Sequence, residues 1–114
     1  MAGTLTIGGT QTGAPEGNRT ISTTLTMGVC GVMTEVTLAS GANTITVPTN
    51  AAGCVIIPPS GNTQTLTLKG VTGDTGIALS KTNPFMLAFD STPPASFVIT
   101  AGALTTGITA IIFF

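Results

Sequence analysis

The stretch "TQTLTLKG", residues 63–70, decides the fold class. Thr65, Thr67 and Lys69 alternate with Leu66 and Leu68, a period of two that suits a strand with one face buried and the other in water. Turn residues bound it, "SGN" before and "VTGDTG" after. Outward from this segment the arrangement recurs. "RTISTTLTM" (19–27) sets Ile21, Leu25 and Met27 against Ser22, Thr24 and Thr26, and "VMTEVTL" (32–38) sets Val32, Val36 and Leu38 against Glu35 and Thr37. "TITV" (44–47) turns Ile45 and Val47 inward, and "SGAN" before it reads as the turn of a hairpin. "TLTI" (4–7), "CVII" (54–57), "IALS" (77–80), "FMLAF" (85–89), "SFVIT" (96–100) and "GITAIIFF" (107–114) complete nine or ten strands. Their spacing is that of sandwiches and barrels. The expected fold is all-β, a single-domain antiparallel β-sandwich of jelly-roll type, with residues 1–18 as an N-terminal arm or extended segment and 19–114 as the sandwich.

Composition points the same way. Among the 114 residues are 24 threonines and only 6 serines. Threonine is β-branched and offers water a hydroxyl, which suits the outer side of a strand. Charged residues make up 6% of the chain, against about 25% in an ordinary soluble domain, so neutral hydroxyls carry the solubility. No stretch avoids Gly and Pro for long enough, with apolar spacing near 3.6, to predict a long helix. The longest apolar runs, "CVIIPP" and "AIIFF", fall far short of a membrane-spanning helix. "MAGTLTIGGT" has neither the basic start nor the apolar run of a secretory leader, so none is expected.

A rival organisation comes from the tripeptides "TLT" at 4, 24 and 65 and "TIT" at 44, a spacing near that of β-solenoid coils. The intervening Gly, Pro and apolar positions do not repeat, which favours the sandwich.

Residues that perform chemistry are scarce. With no His, Tyr or Trp, the chain cannot form a Ser-His-Asp or Cys-His arrangement on its own. Ser80 and Lys81 are neighbours, and neighbours on a strand point to opposite faces. Glu35 and Asp74 sit on an outward strand face and in a turn, where carboxylates are solvated. "GVTGDTG" (70–76) has glycines at loop spacing but is followed by a strand rather than the helix a phosphate loop needs, and reads as a β-turn in which Asp74 and Gly76 tolerate positive φ. "NRT" (18–20) matches a glycosylation acceptor, a weak signal in so Thr-rich a chain. The expectation is a protein that is not an enzyme, with no cofactor, no metal and no small-molecule substrate. A net charge of -1 with three scattered cations argues against nucleic acid and against membrane-surface binding.

Cys30 and Cys54 admit two readings. A disulfide between them would add about 3 kcal/mol in the chain-entropy model. Two buried thiols is the reading that needs no oxidising compartment.

"GITAIIFF" is apolar on both faces. Ile108, Ala110, Ile112 and Phe114 line one side, Thr109, Ile111 and Phe113 the other. A strand covering one core should alternate with polar residues, so two apolar faces call for a second layer or a neighbouring subunit. Ile111, Ile112, Phe113 and Phe114 are therefore the candidates for oligomer packing. Thr4, Leu5 and Ile7, with Glu16 and Arg19 in the following loop, are candidates for an arm that docks on a neighbour.

The segments "TLTLKGVTGDTGIALS", "PFMLAFDS", "SFVITAG" and "TGITAIIFF" resemble, in style and order over about half the chain, small β-sandwich structural proteins of tailed bacteriophage virions, either capsid decoration (cement) or tail-associated. The resemblance implies a sandwich or jelly roll, often trimeric, attached to a capsid or tail surface, the outer surface of the capsid being favoured over the tail, through contacts with the major capsid protein or another virion protein. It transfers no site residues. The runner-up reading is a receptor- or glycan-binding module of a tail or fibre. A third is ice binding through the Thr-x-Thr rows, which requires those rows to be coplanar.

Overall fold

The structure, a computed structural model, describes residues 4–12, 19–26 and 32–114. Ten strands form: β1 (Thr4–Gln11), β2 (Arg19–Thr26), β3 (Val32–Val36), β4 (Gly41–Thr46), β5 (Gly53–Ile57), β6 (Leu66–Lys69), β7 (Ile77–Leu79), β8 (Phe85–Ala88), β9 (Ser96–Ala101) and β10 (Thr109–Phe113). Each of the ten lies within or overlaps a segment that alternation and turn residues mark in the sequence. Among the described residues there is no helix.

Strands β3 to β10 make two four-stranded sheets, ordered β3-β10-β5-β8 and β4-β9-β6-β7, and every pairing in them is antiparallel. The chain changes sheet at each connection except the one from β6 to β7. Eight strands exchanged between two sheets in this order are a jelly roll. Its core lies between the sheets: Leu38, Ile45, Cys54, Ile56, Leu66, Phe97, Ile99, Ile111 and Phe113 are buried in one cluster. The alternation of "TQTLTLKG" holds there, with Leu66 and Leu68 buried and Thr65 exposed.

β1 and β2 form a separate antiparallel hairpin, with Thr4 opposite Thr26 and Gln11 opposite Arg19. The sequence reading placed residues 19–27 with the sandwich; the sheet pairing joins Arg19–Thr26 to β1 instead. The register explains why. Threonines face threonines along one side, at Thr4 and Thr26, Thr6 and Thr24, and Thr10 and Thr20, a self-matching pair of Thr-rich strands. All six are exposed, and the Oγ1 atoms of Thr6 and Thr24 lie 3.5 Å apart.

The connection from β3 to β4 corrects the expected hairpin. These strands lie in different sheets: Gly41, Ala42 and Asn43 of "SGAN" already belong to β4, and residues 37–40 carry the chain from one sheet to the other. Asn43 organises the corner: its Oδ1 accepts from Ala39 N at 2.9 Å, and its Nδ2 lies within donating distance of Ala39 O and, at 3.1 Å, of Ile99 O on β9. Pairing with distant β9 outcompetes the local turn. The solenoid reading is likewise replaced. The Thr-x-Thr segments at 4 and 24 pair with each other, whereas those at 44 and 65 belong to the β4-β9-β6-β7 side of the sandwich.

The turn after β6 forms as expected, by a different device at one position. Gly76 has φ +80°, a conformation that favours glycine. Asp74 is not in that region; its Oδ2 accepts from Gly70 N at 3.1 Å and Val71 N at 3.0 Å and so fastens the loop from within.

Candidate functional site

The two sheets present unlike outer faces. On β4-β9-β6-β7 the outward positions are Ala42, Thr44 and Thr46 on β4, Ser96, Val98 and Thr100 on β9, Thr67 and Lys69 on β6, and Ala78 on β7. Five of these nine carry hydroxyls, and Val98 between them is buried. On β3-β10-β5-β8 the register aligns Met33, Ile112, Val55 and Met86 in a row across all four strands. Met33 is 54% exposed and Met86 39%, while Ile112 and Val55 between them are half-buried. The next row carries Glu35, Ala110 and Ile57, so a single carboxylate borders the apolar band.

This row arises from two sequence features. Period-two alternation places Met33 on the same side of β3 as Glu35, the water side. The runs "CVII" and "AIIFF" are apolar at every position, so their outward members are apolar too. A sheet covered by helices or a second sheet reads this way, and an uncovered one exposes an apolar band. Sequence reasoning did not single out Met33, Val55 or Met86. A methionine at a polar-face position in "VMTEV" was the available signal.

The four terminal candidates separate by strand parity. Ile111 and Phe113 are fully buried in the core between the sheets. Phe114 is also buried, at 3% exposure, outside that core cluster. Its backbone closes the sheet, since Phe114 N donates to Gly53 O at 3.0 Å and Ala52 N donates to Phe114 O at 2.6 Å. Its ring lies over Gly53, where a Cβ would meet Phe114 Cζ at 2.7 Å. Ile112 alone of the four keeps surface on the outer face. Ile111 and Phe113 are thus covered by the chain's own core, and Ile112 lies on the other face, the one for which "GITAIIFF" calls for a second layer or a neighbouring subunit.

Among the docking-arm candidates, Thr4 is exposed on β1, Leu5 and Ile7 occupy the alternate register positions of that strand, and Arg19 opens β2 opposite Gln11. Glu16 lies outside the described residues. Among the described residues Cys54 stands as a free thiol with no exposed surface, and burial pushes its pKa up to about 11. Cys30 lies outside the described residues.

Among the described residues no three His, Cys, Asp or Glu side chains group as metal ligands, and no helix is long and apolar enough to cross a membrane. Of the five phenylalanines, Phe97, Phe113 and Phe114 are buried and Phe85 and Phe89 half-buried, so none forms the open aromatic platform on which a sugar ring stacks. Comparison of the chain with family models, with curated proteins and with solved structures gave no match.

Proposed function

We propose that the chain is a virion structural protein, a capsid decoration or cement protein that works by contact alone. One observation carries the reading: one outer face of the jelly roll bears an in-register apolar row, Met33, Ile112, Val55 and Met86, while the opposite outer face is dominated by hydroxyls. A sandwich with one apolar and one hydroxylated face suits a protein that lies between a surface and water. The apolar row gains about 25 cal/mol for each Å² it removes from water. Many copies on a lattice make modest contacts sufficient.

In this reading the protein sits on the outer surface of the capsid and bridges major capsid protein subunits. It assembles as a homo-oligomer, with a trimer as the first expectation. Jelly rolls serve both as capsid and as lectin domains, so the fold alone does not decide between this and a glycan-binding module of a tail. The scarcity of exposed aromatic rings favours the former.

The test compares particles assembled with and without the protein. The proposal expects particles lacking it to lose genome at lower temperature and lower chelator concentration, with resistance restored on adding it back. Equal resistance of the two would end the cement reading, and saturable binding on a glycan array would put the tail module in its place.

A further inference from the structure

The jelly roll is open along one end. Odd-numbered positions of β8 and the residue after it point between the sheets, yet Phe85, Leu87 and Phe89 are only half-buried, whereas Cys54 and Ile56 on the paired strand β5 are fully buried. On the facing sheet Ile77, opposite the buried Leu68, is 60% exposed. Inward-pointing apolar side chains that keep exposed surface border apolar space that the described residues leave unfilled. That space is a cavity of about 430 Å³ between the β6–β7 turn and the β8–β9 connection. Its apolar lining includes Leu68, Ile77, Leu87, Phe89, Pro94 and Phe97.

We propose that this cavity is a binding site for a small, uncharged, apolar molecule, an aromatic or short aliphatic compound. The inference is independent of the virion reading and concerns a different part of the molecule from the Met33–Met86 row. Its volume falls within the range of small-molecule pockets, roughly 300 to 1,000 Å³, which are apolar with a few polar groups at the margin. The ligand's neutrality follows from the charges present. Lys69 and Asp74 are the charged residues of the lining, one of each sign. Asp74 is already engaged by two turn amides, and Lys69 Nζ donates to Thr72 O at 3.4 Å. With one charge of each sign the lining has no net charge to attract an ion, and an ion seated against its apolar walls would lose hydration. The wall formed by the β6–β7 turn is held from within, because Asp74 accepts from Gly70 N and Val71 N, which limits the ordering cost on that side.

The experiment titrates the full chain with the neutral dye 1-N-phenylnaphthylamine and follows its fluorescence, then displaces it with decanol or with decanoate. The expected result is saturable binding at one site per chain, displaced at least tenfold more effectively by decanol. Ile77→Trp, which fills the mouth, should weaken dye binding at least tenfold. Val71→Trp, on the same turn outside the lining, and Met33→Ser with Met86→Ser on the outer sheet face should leave it unchanged. Saturable binding that survives Ile77→Trp in a protein with wild-type circular dichroism overturns the proposal, as does dye binding lost in the double methionine variant. Absence of saturable binding, or preference for decanoate, overturns it equally.

Discussion

Thr105 and Leu38, 67 residues apart, bind each other through both backbone and side chain: Leu38 N donates to Thr105 Oγ1 at 3.1 Å, and Thr105 N and Oγ1 donate to Leu38 O at 3.0 and 3.3 Å. Both are buried. The clamp ties the crossover between β3 and β4 to the connection between β9 and β10, so it fixes where the chain changes sheet. Thr105→Val keeps the shape but leaves Leu38 N without its partner. It should lower stability by about 1 to 3 kcal/mol, the cost of an unsatisfied buried donor. Urea unfolding measures this, and Thr105→Ser should restore most of the loss.

Thr109 presents the opposite case. It is fully buried at the start of β10, and its Oγ1 has no hydrogen-bond partner among the described residues. Thr109→Val removes a desolvated hydroxyl from an apolar setting without changing volume, and should raise stability by about 1 kcal/mol. Thermal unfolding should show a higher midpoint for this variant.

Gly53 is held by contact. A Cβ there would meet the Phe114 ring at 2.7 Å and the backbone of β8. Gly53→Ala should destabilise the fold by about 1 to 3 kcal/mol, as overpacking does. Pairing it with Phe114→Ala should recover part of the loss, and a double-mutant cycle in urea reads the coupling.

Cys54 gives a pH dependence with a definite sign. Its folded pKa, about 11, lies above the ordinary value of 9.0 because burial disfavours the thiolate. Below pH 9 the thiol is protonated in both states, and its contribution to stability is complete. As pH rises from 9 towards 11 the unfolded chain loses the proton first, so stability falls. Cys54→Ala should flatten that decline in urea midpoints measured across this range. In the native protein at pH 8 this thiol should resist alkylation.

Local alternation made the strands legible, because each needs only its own residues. "TQTLTLKG" declares its buried leucines, and "GITAIIFF" declares two apolar faces. The sheet order was out of reach of local reasoning. "SGAN" has the composition of a hairpin turn, and only the pairing with β9, which sets Asn43 opposite Ile99, 56 residues away, makes Gly41, Ala42 and Asn43 part of a strand instead. The candidate interaction face was hidden for the same reason. Met33, Ile112, Val55 and Met86 are unremarkable one by one, and become a row only when four strands from distant parts of the chain fall into register. Phe113 was legible as covered, whereas its cover, the chain's own second sheet, depended on that order.

The central claim is that the outer face of the β3-β10-β5-β8 sheet attaches the protein to its lattice. The most direct measurement is cosedimentation with particles assembled without the protein, comparing wild type with Met33→Glu/Met86→Glu. Both methionines are exposed, so the variant should keep the wild-type unfolding free energy within about 0.5 kcal/mol. The account predicts saturable binding of the wild type and at least a tenfold loss for the variant. A correctly folded variant that binds the particles as tightly as wild type would contradict it.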